Sequence, residues 1–218
     1  MRSTNYKLQF ITHRNDRYTH IDSARLALEG GCRWVQLRMK GADYNPLILE
    51  DTAIVIRDMC RSYGATFVVD DDVLLAKRIG ADGVHLGKGD MPLNKARAIL
   101  GCDAIIGATV NSFEDISLCL RRATPDYFGC GPYRFTTTKE SLSPILGLDG
   151  YREIIAKMQS ACITTPIVAI GGITDDDIAP LTECGIDGIA LSSSVLNDHN
   201  PIEYMKKIVD TVYLSKSR

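Results

Sequence analysis

Eight short runs of mostly apolar residues recur along the chain, and a longer amphipathic stretch follows each one. The runs are four to six residues long and nearly continuously apolar, which is typical of strands buried on both faces of a parallel sheet. The predicted strands are residues 8–12, 34–37, 66–70, 83–86, 104–109, 127–130, 166–170 and 188–191. The stretches between them predict helices, as in residues 45–63, whose apolar face is formed by Leu47, Leu49, Ile54, Ile56 and Met59.

The spacing of these runs favours a closed barrel over an open sheet. Eight strand-helix units in 218 residues average about 27 residues each, which is compact but sufficient. An open doubly wound sheet would usually have fewer strands and a switch in strand order. The Gly-Ala-Asp-Gly of residues 80–83 recurs as Gly-Ile-Asp-Gly at residues 185–188, and no low-complexity linker interrupts the pattern. We therefore predict an α/β fold with a single (β/α)8 TIM-barrel domain over residues 1–218.

The overall composition excludes several classes of protein. Hydrophobic residues make up 45% and charged residues 24% of the chain, which excludes a disordered or fibrous protein. The net charge of −2 is not typical of a nucleic-acid-binding protein, and no apolar run approaches the roughly 18 residues of a membrane span. We therefore expect no nucleic-acid and no membrane partner, while the oligomeric state, including a homo-oligomer, stays open.

The cysteines and the N-terminal segment predict in which cellular compartment the protein is found. The seven cysteines are odd in number and widely spaced, and no Cys-x-x-Cys pair occurs, which argues against a disulfide framework and against a zinc site. The N-terminal apolar stretch ends before Arg14 and is too short for a signal peptide. We therefore expect a cytoplasmic protein whose cysteines are reduced.

Charged side chains follow the second, third and fourth predicted strands. A barrel of this kind places its active site at the C-terminal ends of its strands. Asp71 and Asp90 would hold one Mg²⁺ between them there, because Mg²⁺ prefers carboxylate oxygens together with water and substrate phosphates. The cationic side chains that a pyrophosphate group needs would come from Arg38, Lys40 and Lys139.

Plainer interpretations exist for the same residues. The carboxylates of residues 70–72 also fit a helix N-terminus, and for Asp72 we favour this capping role. Arg38 and Lys40 lie on the same side of an extended chain and would also fit a solvated rim. Lys139, in a threonine-rich segment, would also fit a solvated loop.

Glycines and serines follow the seventh and eighth predicted strands. Gly171 and Gly172 allow a phosphate to approach the backbone just before a helical pattern that begins near Asp175. Residues 192–194, all serine, would add hydroxyl groups. Many barrel enzymes bind phosphate at this location, although a tight turn followed by a serine cap is the alternative.

Three histidines receive simpler interpretations. His85, at the end of the fourth strand, is expected to be a structural residue with satisfied hydrogen bonds rather than a base. His13 and His20 lie in a polar segment and are expected to be exposed.

Several motifs, taken in order, resemble those of the thiamine phosphate synthase family of (β/α)8 enzymes over essentially the full chain. Residues 36–40 (Gln-Leu-Arg-Met-Lys) resemble its Gln-Leu-Arg-x-Lys segment, and residues 69–73 resemble its Asn-Asp-Asp stretch. Residues 83–90 are similar to its Gly-Val-His-Leu-Gly-Gln-x-Asp segment, and residues 131–139 to its Gly-Pro…Thr-x-Thr-Lys loop.

The resemblance implies a role for each matched residue. Gln36, Arg38 and Lys40 would bind the pyrimidine pyrophosphate, with Asp71 and Asp90 as the Mg²⁺ ligands. The residues implied around the thiazole phosphate are Thr136, Thr137, Thr138, Gly172, Ser192 and Ser193. Lys139 would contact the pyrophosphate and, with Arg38 and Lys40, would be catalytic.

The chain also departs from the family pattern. Asp70, in a substrate-binding position, stands where the family usually has asparagine, and Thr109 replaces a substrate-binding serine. Lys88 replaces a glutamine, and residues 133–135 (Tyr-Arg-Phe) differ from the usual loop. These departures bear on the orientation of the substrates more than on the reaction.

The implied reaction joins 4-amino-5-hydroxymethyl-2-methylpyrimidine pyrophosphate to 4-methyl-5-(2-phosphooxyethyl)thiazole and releases pyrophosphate. A related thiazole tautomerase of the same fold is the nearest alternative. By resemblance, that enzyme uses a histidine at the position where this chain has Asn111. A phosphosugar isomerase would explain the phosphate pocket but not the two aspartates. From another class, a non-catalytic binder of thiamine precursors would fit if Asp70 abolished catalysis.

Overall fold

A computed structural model describes residues 6–41, 44–135 and 144–214 as eight parallel strands that form a closed barrel, in which β1 pairs with both β2 and β8. The strands are β1 (Leu8–Ile11), β2 (Trp34–Leu37), β3 (Thr66–Asp70), β4 (Gly83–Leu86), β5 (Ile105–Val110), β6 (Tyr127–Cys130), β7 (Ile167–Ile170) and β8 (Gly188–Leu191). Every predicted strand is present, with bounds that differ from the prediction by at most one residue. The predicted (β/α)8 fold is confirmed.

Helices connect the strands and surround the barrel. They are α1 (His20–Glu29), α2 (Pro46–Ser62), α3 (Val73–Ile79), α4 (Leu93–Leu100), α5 (Phe113–Leu120), α6 (Gly147–Ser160), α7 (Ile178–Glu183), α8 (Ser193–Leu196) and α9 (Pro201–Leu214). A 3-10 turn, Asp175–Asp177, precedes α7. In the parts of the chain that the structure describes, no helix has both the length and the apolar character of a transmembrane span.

Local sequence signals explain where the helices begin. Thr19 and Asp22 form a reciprocal capping box at the start of α1, and Asn45 accepts a hydrogen bond from the Leu47 backbone ahead of Pro46 in α2. One detail of the predicted α2 face is wrong, since Leu47 is 87% exposed. It lies in the first turn of the helix.

Side chains of the strands alternate between the barrel interior and the surrounding helices. Val35 and Leu37 pack with the α1 to α4 layer. Trp34 and Tyr127 belong to strands that are not neighbours, yet their rings meet edge to face at 4.8 Å, so they lie inside the barrel. The same alternation directs Gln36 inward and turns the residue after next, Arg38, toward the C-terminal mouth. Alternate residues of β2 and its extension therefore line the mouth, while other strand ends contribute consecutive residues such as Asp70 and Asp71.

Candidate active site

A cavity of about 450 Å³ opens at the C-terminal ends of the strands. The predicted site residues that line it are Gln36, Arg38, Lys40, Asp70, Asp71, Asp90, Thr109, Gly172, Ser192 and Ser193. Four predicted residues, Thr136, Thr137, Thr138 and Lys139, lie outside the described residues. Every predicted site residue that the structure describes is thus brought to one cavity, and their binding roles stay predictions.

Two cations converge on one carboxylate at the ends of β2 and β3. Because the register pairs Leu37 with Val69, the residues that follow, Arg38 and Asp70, lie side by side. The Asp70 Oδ2 atom is 3.5 Å from Arg38 Nε and 3.1 Å from Lys40 Nζ. The Asp70 side chain is nearly buried, so this ionic contact is far less screened by water than a surface pair.

The next two carboxylates have different environments. Asp72 accepts a hydrogen bond from the Leu75 backbone at 2.8 Å, as expected of a cap on α3. Asp71 has a left-handed backbone with φ of 62°, and its side chain is 2.5 Å from Lys40 Nζ. Its Oδ1 atom is buried and has no hydrogen-bond partner among the described residues. The capping and the cavity-facing carboxylates are therefore different residues.

The contact between Asp71 and Asp90 shifts the pKa of both carboxyl groups. Burial raises the pKa of Asp71 to about 7, and the charge of Asp70 and the interaction with the neighbouring Asp90 carboxyl act in the same direction. Burial also disfavours the charge on Asp90, but Asp71 and the Gly87 N–H, at 2.6 Å, hold the pKa of Asp90 below its usual value. Two carboxylates in contact repel each other unless a proton or a cation lies between them.

The opposite side of the cavity, at β7 and β8, is lined by backbone and hydroxyl groups. Gly171 and Gly172 have φ values of 97° and 69°, which favour glycine, and form the turn after β7. Ser192, Ser193 and Ser194 follow β8 and lead into the short helix α8. Barrels with a short extra helix at this location commonly bind phosphate there.

A polar chain runs from the barrel interior to the cavity. The Tyr127 hydroxyl bonds His85 Nδ1 at 2.9 Å, and His85 Nε2 bonds the Thr109 hydroxyl at 2.9 Å. His85 therefore has partners on both ring nitrogens, as expected of a structural histidine. Gln36 is buried at the cavity wall, and its Nε2 donor has no hydrogen-bond partner among the described residues. That donor is available to a bound molecule.

Sequence reasoning did not assign several other lining residues to the site: His13, Lys88, Asn111 and Pro132. Lys88 lies 2.5 Å from Asp115, and Asn111 donates to the Gly131 carbonyl at 2.5 Å. Their position one or two residues beyond a strand end was the available signal. His20, expected to be exposed, is instead buried and contacts the Thr12 hydroxyl at 3.0 Å. It begins α1 on the face that also buries Ala24.

The fold and the cavity define a class, a TIM-barrel enzyme with one cation-rich and one neutral end in a site suited to phosphorylated substrates. The family described as thiamine monophosphate synthase matches residues 8–195. The chain therefore belongs to the thiamine monophosphate synthase family, which confirms the predicted family, its transferase class and its function as a thiamine-phosphate synthase.

Individual relatives agree with this assignment. The chain is 55% identical to the thiamine-phosphate synthase of Phocaeicola vulgatus over 210 residues, which cover 96% of this chain and 100% of that protein. It is 43% identical to the thiamine-phosphate synthase of Flavobacterium johnsoniae over 95% of this chain and 96% of that one. The solved structure of thiamine phosphate pyrophosphorylase from Pyrococcus furiosus superposes with a TM-score of 0.82 at 33% identity and 98% coverage of both chains.

Proposed function

We propose that this chain joins 4-amino-5-hydroxymethyl-2-methylpyrimidine pyrophosphate to 4-methyl-5-(2-phosphooxyethyl)thiazole, with the described cavity as the active site. The observation that carries the proposal is the division of the cavity. Arg38, Lys40 and the Asp71 and Asp90 carboxylates lie at one end, and the Gly172 turn lies at the other. Such a cavity accommodates two substrates with different phosphate groups in fixed orientation.

In the proposed reaction, the C–O bond between the pyrimidine methylene and the pyrophosphate breaks first. The electron pair leaves with the pyrophosphate, and the thiazole nitrogen then forms the new C–N bond. Arg38 and Lys40 stabilise the leaving group because their charges face the place where its negative charge develops. Lys139 is proposed to add a third cation. No side chain of the protein acts as a nucleophile in this scheme.

The Lys40 ammonium is well suited to stabilising the leaving pyrophosphate. Burial acts against its charge, but the neighbouring Asp70 and Asp71 carboxylates raise the pKa of Lys40 above its usual value. The side chain is therefore a full cation at neutral pH. Its three N–H donors allow it to bind pyrophosphate oxygens as well as these carboxylates.

We also propose that Asp71 and Asp90 hold one Mg²⁺. The residues fit this ion, because two hard oxygen donors are in contact and the Asp71 Oδ1 atom is buried without a donor among the described residues. No group of three or more His, Cys, Asp and Glu side chains suited to a metal occurs in the described ranges. A two-carboxylate site suits Mg²⁺, which keeps water and phosphate ligands. When bound, the ion would neutralise charge on the pyrophosphate.

The remaining residues are proposed to orient the two substrates. The Gln36 amide and the Thr109 hydroxyl contact the pyrimidine substrate from the barrel interior. The Gly172 backbone with the Ser192 and Ser193 hydroxyls binds the thiazole phosphate, and Thr136, Thr137 and Thr138 are proposed to contact the same group. Holding both molecules in line lowers the entropic part of the barrier.

A cytoplasmic location, with small molecules as the binding partners, completes the proposal. All seven cysteines lie within the described residues, and all are free thiols there. Burial raises the pKa of Cys32 to about 11 and that of Cys60 to about 12, so these thiols are unreactive. Free thiols, two of them exposed, suit a reducing compartment.

The proposed reaction is tested by pyrophosphate release from the purified chain with both substrates, with and without Mg²⁺, together with detection of thiamine phosphate. We expect product and pyrophosphate in equal amounts, and neither when Mg²⁺ or the thiazole phosphate is omitted. Folded protein that yields no product would refute the proposal and favour the tautomerase or a binding protein. The Asn111 side chain, which donates to Gly131, makes the tautomerase the weaker alternative because an amide does not relay protons as histidine does.

A further inference from the structure

The segment after β6 packs directly on the turn after β7. The Tyr133 N–H donates to the Ile170 carbonyl at 2.9 Å, and the Arg134 N–H donates to the Gly171 carbonyl at 3.0 Å. A Cβ atom on Gly171 would lie 2.8 Å from the Pro132 Cβ, and one on Gly172 would lie 2.5 Å from the Arg134 Cγ. The two glycines therefore serve this close packing as well as any approach of a phosphate.

The Arg134 side chain extends this contact beyond the turn. Its guanidinium makes a bidentate ion pair with Asp177, in which Nη1 lies 2.6 Å from Oδ2 and Nη2 lies 2.8 Å from Oδ1. Nη1 also donates to the Gly172 carbonyl at 3.1 Å. The guanidinium lies over the Tyr133 ring, 4.7 Å from its centroid. Arg134 thus fixes the Gly172 peptide from outside the cavity.

Asp177 holds the other end of the same turn. Its Oδ2 atom accepts hydrogen bonds from the Thr174 N–H at 2.8 Å and the Thr174 hydroxyl at 2.9 Å. Its side chain is only 8% exposed while that of Arg134 is 46% exposed, so water screens the pair partly, and less than it screens a pair of two exposed residues. Residues 171–177 are therefore held at both ends by one carboxylate and one guanidinium, and neither side chain lines the cavity.

We propose that Arg134 and Asp177 are positioning residues that hold the Gly171–Gly172 turn in the conformation that binds the phosphate of the thiazole substrate. This inference rests on the proposed function, which places that phosphate at the turn. It gives a role to a departure from the family pattern, because Arg134 lies in the residues 133–135 that differ from the usual loop. A planar bidentate pair fixes orientation as well as distance, which a single point charge does not.

The test compares Arg134→Leu with Arg152→Leu, which removes an exposed Arg–Asp pair on α6. We expect Arg134→Leu to raise the KM for the thiazole phosphate about tenfold, while the KM for the pyrimidine pyrophosphate changes less than about twofold. Arg134→Lys should give an intermediate KM, and Arg152→Leu should leave both KM values unchanged. Assays at a temperature well below each measured Tm separate the effect on the turn from loss of folded protein.

A second variant keeps the inference falsifiable. Because both residues act on one turn, Asp177→Asn added to Arg134→Leu should not raise the thiazole-phosphate KM further. Equal increases in both KM values, or a lower Tm with unchanged KM values, would overturn the inference.

Failure of the proposed function has a different signature, since the wild-type chain would then yield no product. Calorimetric titration with the thiazole phosphate decides the role of Arg134 in that case. Weaker binding by Arg134→Leu than by the wild type supports the positioning role, and equal binding overturns it.

Discussion

The two ends of the cavity differ in the charge of the side chains that line them. At β2 to β4, pairwise contacts link Arg38 and Lys40 to Asp70, Lys40 to Asp71, and Asp71 to Asp90. At β6 to β8, the described lining residues carry no charged side chain and present glycine backbone and serine hydroxyls instead. Both ends are proposed to face phosphate groups, so the kind of ligand does not explain the difference.

The fate of each phosphate group does explain it. In the proposed reaction a bond to pyrophosphate breaks at the charged end, and preorganised charges would stabilise the negative charge that develops there. At the neutral end the thiazole phosphate is proposed to bind without changing during the reaction, and interactions that are equal in ground and transition state contribute to binding rather than to rate. Variants of the charged end should therefore lower kcat, and variants of the neutral end should raise KM.

The largest effect is expected from Asp71→Ala. Loss of this carboxylate should lower Mg²⁺-dependent turnover by at least about a thousandfold while the fold is kept. Turnover is measured as pyrophosphate release over a range of Mg²⁺ concentrations, and circular dichroism checks the fold. Unchanged activity would remove Asp71 from the proposed metal site and break the distinction between the two ends.

Asp72→Ala is the matched control, because Asp72 is adjacent but caps α3. It should cost about 1 kcal/mol in the free energy of unfolding with turnover retained. A loss of turnover as large as that of Asp71→Ala would show that Asp72 is also needed for the reaction, although its contact is that of a helix cap.

The fold could be predicted closely because each strand is a short, nearly continuous apolar run that ends at polar residues. Such runs locate strands such as β2 and β4 without error. Strand spacing also gave the closed barrel. The prediction that His20 is exposed was wrong because it relied on the polar composition of the segment. The capping box of Thr19 and Asp22 and the helical spacing of His20 and Ala24 were the signals for its burial.

The sequence predicted which residues follow the strand ends, and only these could be assigned to the site. Residues at alternate positions beyond a strand, such as Arg38 and Lys40, were placed correctly around the mouth. The partner of each charge was not predictable, because pairing depends on the register between strands and on long-range contacts. The Arg134–Asp177 pair joins residues 43 positions apart, and no local pattern signals it.

A smaller effect is expected from Ser193→Ala at the neutral end. Loss of one hydroxyl donor should raise the KM for the thiazole phosphate about tenfold, because hydrogen bonds to charged groups are among the stronger ones. The KM for the pyrimidine pyrophosphate and kcat should change little. Ser112→Ala, which removes a helix cap outside the cavity lining, is the control and should change neither KM. A fall in kcat alone would mean that this end also takes part in bond breaking.

Asp70→Asn should have a milder effect at the charged end, and its size depends on pH. The charge of Asp70 raises the pKa of Asp71, so its removal should lower that pKa and favour the carboxylate form. Mg²⁺ competes with a proton for Asp71, so its affinity should rise with pH through about 7 in the wild type and at lower pH in the variant.

The measurement for Asp70→Asn is the Mg²⁺ concentration for half-maximal turnover at pH 6 and pH 8. The variant should need about two- to fivefold more Mg²⁺ than the wild type at pH 8, because the Asp70 charge also attracts the cation, and the difference should be smaller at pH 6, where the lowered pKa of Asp71 offsets part of that loss. Asp149→Asn, on the exposed surface of α6, should match the wild type at both values. A severe loss at both pH values would show that the Asp70 carboxylate itself takes part in binding or catalysis.

The smallest effect is expected on the stability that Asp177 gives the neutral end. Burial opposes the charge of this carboxylate, but hydrogen bonds from Arg134 and Thr174 hold its pKa below the usual value. A carboxyl group with a lowered folded-state pKa stabilises the fold above its unfolded pKa of about 4, and this contribution is lost as the pH falls through the folded-state value. Asp177→Asn should therefore lower the free energy of unfolding by about 1 kcal/mol at pH 7 and by much less at pH 3. Urea unfolding at the two pH values measures the difference. An equal loss at both would mean that Asp177 stabilises the turn through packing rather than charge, which would leave the neutral end of the cavity independent of any ion pair.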